Sequence, residues 1–101
     1  MTVRARDLPI RFQGTPGPLN ALTDVPGVEV GMVTIVDDDP ADPSRSARTG
    51  VTAILPLGRK GIGTSVPAGI HALNGNGEMT GSHWINETGS LSSPIMITNT
   101  H

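Results

Sequence analysis

The sequence predicts a mainly β-strand fold with at most one short helix, and three observations carry that prediction. Gly takes 13 and Pro 9 of the 101 positions, against roughly 12 in 100 for the two together in an average protein, which excludes a long-helix or coiled-coil architecture. Apolar, β-branched runs recur between these breakers, the pattern of strands separated by turns. The hydrophobic share is 36%, with one Phe, one Trp and no Tyr, so the core must be aliphatic and is thin for so short a chain.

Taken in order, residues 1–27 read as an extended arm, because Gly14, Pro16, Gly17 and Pro18 remove backbone donors and relax the chain. Val28 to Val36 is predicted as a strand, in which Val28, Val30, Met32, Thr34 and Val36 alternate with Glu29, Gly31, Val33 and Ile35. The polar stretch from Asp37 to Thr49, broken by Pro40 and Pro43, is a long connection. Val51 to Leu57 is a second strand, which pairs antiparallel with the first across the acidic loop. Gly58 to Gly63 turns the chain. A third strand is expected from Ala68 to Leu73, since Pro67 suits a strand start. Asn74 to Gly77, reading NGNG, is a turn of residue types that readily adopt positive φ. A helix of about two turns fits residues 81–88, capped by Thr80 or Ser82 and ended by Gly89. Residues 94–100 form the last strand.

Lys and Arg number 7 and Asp and Glu 9, a net charge of −2, so there is no basic footprint for nucleic acid. Without Cys there is neither a disulfide framework nor a thiolate metal site. Met1 to Ile10 lacks the continuous apolar stretch of a signal peptide, and no run approaches the roughly 20 apolar residues that cross a bilayer. A soluble chain without membrane or nucleic-acid partners is expected; the residues leave the compartment open and favour the cytoplasm.

Several patterns invite a chemical reading. Asp37, Asp38, Asp39 and Asp42 are oxygen ligands for a hard cation in principle, but adjacent carboxylates followed by Pro point in different directions and read as a solvated loop. His71, His83 and His101, with Glu78, lack metal-ligand spacing. On that reading no metal or cofactor is expected, His71 is a hydrogen-bonded strand residue and His83 a surface partner of Trp84. Gly61 to Thr64 lacks the spacing of a phosphate loop and is a turn. Asn86, Glu87 and Thr88 form a glycosylation triplet of a kind that arises by chance. The most informative block is Asn74 to Thr88, where Glu78 follows a glycine-rich turn flanked by Asn74 and Asn76. Such a group can hold a substrate amine. Equally, the amides can cap their own turn while Glu78 pairs with an Arg.

Five blocks in order, RARDLPI (Arg4 to Ile10), GTPGPLNALTDVPGVEVG (Gly14 to Gly31), RTGVTAILP (Arg48 to Pro56), LNGNGEMTGSHWINETG (Leu73 to Gly89) and PIMITNTH (Pro94 to His101), resemble the N-terminal part of the L-aminopeptidase/D-esterase family, which includes the β-peptidyl aminopeptidases. The resemblance implies an α/β class, with residues 28–101 as the β-rich N-terminal portion of a larger αββα sandwich similar to the N-terminal nucleophile hydrolases. It implies a self-processing aminopeptidase, amidase or esterase for small substrates with a free amine, whose nucleophile lies in later segments that nothing in this chain matches. The remainder of the polypeptide is then the chain's first partner, and the complete enzyme is expected to be a homo-oligomer. No catalytic residue is expected here; Asn74, Asn76, Glu78 and Met79 are the expected substrate-binding residues. The alternative is a non-enzymatic remnant or a small β-rich binding module.

No peptidase turnover is expected from this chain alone, because no Ser or Thr is placed as a processed N-terminus beside a general base. Hydrolysis of an amino-acid p-nitroanilide by the purified chain, lost on mutating Ser65, Ser82, Ser90, Ser92 or Ser93, would show otherwise.

Overall fold

In a computed structural model that describes residues 3–99, the fold is built on one antiparallel pair. Strand β1 (Glu29–Asp37) and strand β2 (Ala47–Leu55) run side by side for nine residues, from Glu29 opposite Leu55 to Asp37 opposite Ala47. Strand β5 (Ile95–Thr98) pairs with the other side of β2, Ile54 facing Ile95 and Val51 facing Thr98, so the sheet order is β1-β2-β5. Val66–Pro67 (β3) and Ser90–Leu91 (β4) form a separate two-residue ladder. The single α-helix, α1, spans Ser82–Thr88. Among the described residues no helix is long and apolar enough to cross a membrane.

The first strand, the last strand and the helix stand close to their expected places; Thr100 and His101 lie outside the described residues. Elsewhere the expectations need correction. β2 begins four residues before the expected Val51 and stops at Leu55. Ala47 and Gly50 are residue types that strands disfavour, but β1 offers Ala47 to Gly50 a ladder, and pairing outweighs composition. Pro56 ends the ladder, since it has no N–H to donate.

Ala68 to Leu73 forms no strand. Only Val66–Pro67 finds a partner, and after Ala68 donates its N–H to the Gly89 carbonyl at 2.9 Å the chain leaves the ladder. His71 is therefore not a strand residue. The helix is not capped by Thr80 or Ser82 either: Gly81 holds the cap position with φ +90°, without a side-chain hydrogen bond. Gly89 ends the helix as expected, with φ +64° and its N–H on the Ile85 carbonyl at 2.8 Å.

The arm carries two single 3-10 turns, Ala5–Asp7 and Leu22–Asp24. The Arg4 guanidinium donates to the carbonyls of Leu19, at 2.7 Å, and of Asn20. Asp24 accepts from the N–H groups of Leu19 and Ala21, and the second turn rests against β1. In the acidic connection three carboxylates have local partners. Asp38 takes a two-pronged ion pair from Arg48, Asp39 accepts from the N–H of Ala41, and Asp42 caps the turn Pro43–Arg45 through the Ser44 N–H.

No hydrophobic side chain is fully buried among the described residues. Alternation along the strands puts Val33, Ile35, Val51 and Met96 on one face of the main sheet and Val30, Met32, Val36, Ile54, Ile95 and Ile97 on the other. Both faces are apolar, the pattern of a sheet covered on both sides. The accessible surface is 8737 Å² for 10.5 kDa, whereas a compact monomer of that mass exposes roughly 5,400 Å². The radius of gyration is 17.0 Å, against about 13 Å for a compact domain of this length.

The isolated chain is expected to associate through these faces and the unpaired sheet edges. Sedimentation velocity across a hundredfold concentration range should show growing species. A monomer with a sharp, concentration-independent thermal transition would contradict this.

Candidate functional site

The informative block folds around glycines. Gly75 has φ +67°, and the Asn74 side-chain oxygen accepts the N–H of Asn76 at 3.0 Å, closing a tight turn on itself. Of the two functions open to the amides, turn capping is the one Asn74 performs. Glu78 comes next. Its carboxylate makes no hydrogen bond or ion pair among the described residues, while Arg48 and Arg59 are paired with Asp38 and Glu29. The arginine partner that composition suggested for Glu78 is absent among these residues. Met79, half exposed, accepts the Ser82 N–H at 3.2 Å through its carbonyl, and Gly81 then starts the helix.

Two open concavities meet along this segment. The first, of about 670 Å³, is lined by Ile70, Trp84, Ile85, Leu91 and Met96 among others. The second, of about 860 Å³, is lined by His71, Asn74, Asn76, Ser82, His83 and Asn86 among others. Ile70, Glu78, Met79, Thr80 and Gly81 line both, so they form the ridge between the more apolar cleft and the polar cleft, the one that carries the histidines and amides.

Helix α1 sorts its residues between the two by periodicity. Ser82, His83 and Asn86 share the polar side, whereas Trp84 and Ile85 face the apolar cleft. His83 and Trp84, expected as surface partners, line different clefts. At the helix end the Thr88 hydroxyl donates to the Trp84 carbonyl at 2.8 Å and accepts the Ser90 N–H at 3.2 Å, which ties the helix to β4.

Of the four residues expected to bind substrate, Asn74, Asn76, Glu78 and Met79 all line the polar concavity, and Glu78 and Met79 also reach the apolar one. Among the described residues, Glu78 is the sole charged side chain lining the apolar cleft. His71, His83 and Glu78 share the polar cleft without forming a group able to hold a metal among the described residues; His101 lies outside those residues. The arrangement can bind a cation beside an apolar group. Sequence reasoning missed Trp84 and Ile85 as lining residues, although their place opposite His83 and Asn86 at helical spacing was the available signal.

Residues 20–101 match the sequence profile of peptidase family S58. The chain is 50% identical over 99 residues to the beta-peptidyl aminopeptidase BapA of Sphingosinicella xenopeptidilytica, a match covering 96% of this chain and 24% of that protein. It is 49% identical over 100 residues to BapA of Sphingosinicella microcystinivorans, covering 97% and 25%. Among solved structures it superimposes on the L-aminopeptidase D-Ala-esterase/amidase of Ochrobactrum anthropi, a prototype for the serine aminopeptidases and a variant of the Ntn hydrolase fold. There the TM-score is 0.80 at 54% identity, over 97% of this chain and 27% of that one. The chain thus spans about a quarter of the length of the curated relatives it matches.

Proposed function

The chain belongs to peptidase family S58, and from that membership we propose that it supplies scaffold strands and the amine-binding ridge of a self-processing aminopeptidase. The substrates are small peptides, amides or esters with a free amine. Two relatives are named beta-peptidyl aminopeptidases and a third an L-aminopeptidase D-Ala-esterase/amidase, which supports the reaction class.

The observation that carries the amine-binding role is the Glu78 carboxylate, partnerless among the described residues and set where two clefts meet. A substrate ammonium is the natural counter-ion for such a group. The charge-assisted hydrogen bond fixes the amine at one end, and with it the distance to the carbonyl that must be attacked. Asn74 holds the turn through its bond to Asn76, while Asn76 and Met79 border the bound amine.

The attacking group comes from the remainder of the polypeptide. None of the hydroxyls lining the clefts, Thr80, Ser82, Ser92 and Ser93, is hydrogen-bonded to a His or a carboxylate among the described residues. That same remainder covers the apolar sheet faces outside the cleft that Met96 lines. Residues 28–101 form part of the larger hydrolase domain, with 1–27 as its arm, and the complete enzyme assembles as a homo-oligomer.

The test is a chimera in which residues 20–99 of this chain replace the matching segment of the Ochrobactrum anthropi enzyme. Glu78→Gln should raise KM for amine-bearing p-nitroanilides by about 10- to 100-fold, the worth of a hydrogen bond to a charged group. Unchanged KM and unchanged activity per folded molecule, with only thermal stability reduced, make Glu78 structural.

A further inference from the structure

Trp84 is the largest side chain in the sequence and stands 64% exposed on the wall of the apolar cleft. Its surroundings are held firmly. Glycines with positive φ bracket the helix at Gly81 and Gly89, and the bonds of Thr88 to the Trp84 carbonyl and to Ser90 fix the last turn. The indole is therefore presented on a short helix tied down at its far end.

Ile70, Leu91 and Met96 line the same cleft. The volume of about 670 Å³ falls within the roughly 300 to 1,000 Å³ of small-molecule sites. Among the described residues, Glu78 is the one charged side chain that lines it. Apolar walls with a single anionic group select a ligand that is cationic at one end and apolar beside it, which is the chemistry of an amino acid residue with a hydrophobic side chain and a free amine.

We infer that Trp84 determines specificity for the substrate side chain nearest the amine, receiving a large apolar or aromatic group in this cleft while Glu78 holds the ammonium. The inference rests on the amine-binding reading of Glu78 and extends it to the class of residue accepted. An aromatic side chain gains twice: it leaves water, and its ring packs against the indole. A glycine-like or alanine-like substrate leaves the cleft unfilled.

The experiment uses the same chimera and compares kcat/KM for phenylalanine and alanine p-nitroanilides. Trp84→Ala should lower the phenylalanine-to-alanine ratio by about 10-fold or more, the discrimination a hydrophobic pocket provides. Trp84→Phe should keep most of it. If the Ala variant does not fold, the ratios of Trp84→Phe and Trp84→Leu decide the matter, with the order Trp, Phe, Leu expected. An unchanged ratio overturns the inference. So does an equal loss for both substrates together with a lower melting temperature, the result expected if the remaining polypeptide, not substrate, covers the indole. Glu78→Gln is read separately: it should raise KM for both substrates alike and leave the ratio unchanged, so either reading can fail while the other stands.

Discussion

The nine-residue pairing of β1 with β2 is the interaction on which the rest of the described structure depends. It gives β2 its length, drawing in Ala47 to Gly50, and turns the outer edge of β2 into the template on which Ile95–Thr98 pairs. Its close approach is visible at Gly50, where a Cβ would stand 2.6 Å from the Val33 carbonyl oxygen. The backbones can meet there because the side chain is a hydrogen.

That sheet is apolar on both faces, and this decides what kind of object the chain is. In an antiparallel sheet that faces water on one side, alternation yields a polar face. Here Val33, Ile35 and Val51 on one side and Met32, Val36 and Ile97 on the other leave neither face suited to water. The surface in excess of a compact monomer, about 3,300 Å², is comparable to the area of obligate interfaces. Membership in a family whose matched relatives are about four times as long accounts for such a sheet as one layer of a larger sandwich.

The site follows from the same economy of secondary structure. A two-residue ladder, a seven-residue helix and a turn closed by Asn74 are enough to set Glu78 on a ridge with polar groups on one side and apolar groups on the other. The helix separates the two chemistries because Trp84 and Ile85 point away from His83 and Asn86. Among the described residues no buried core holds this arrangement; glycines with positive φ and short hydrogen-bonded turns do.

Much of this was legible in the residues. The run VEVGMVTIV specified a strand because β-branched side chains favour extended backbone, Gly89 specified a helix end because it adopts positive φ without a clash, and the five blocks specified the family. Local chemistry sufficed in each case. Other features depended on partners far away in sequence. Ala68 to Leu73 is as apolar as a strand, but among the described residues no neighbouring strand supplies hydrogen bonds, so it stays irregular. Ala47 to Gly50 reads as loop and becomes strand because β1 lies beside it. The lack of a partner for Glu78 among the described residues is likewise tertiary: composition offered several arginines, and the fold pairs Arg48 with Asp38 and Arg59 with Glu29 and brings none to Glu78. The sequence by itself determined which segments prefer to extend, turn or coil, since those preferences arise within a few residues. Which segments pair, and which charges find partners, was decided by tertiary structure, because hydrogen bonds and ion pairs between distant residues exist only once the chain has brought them together.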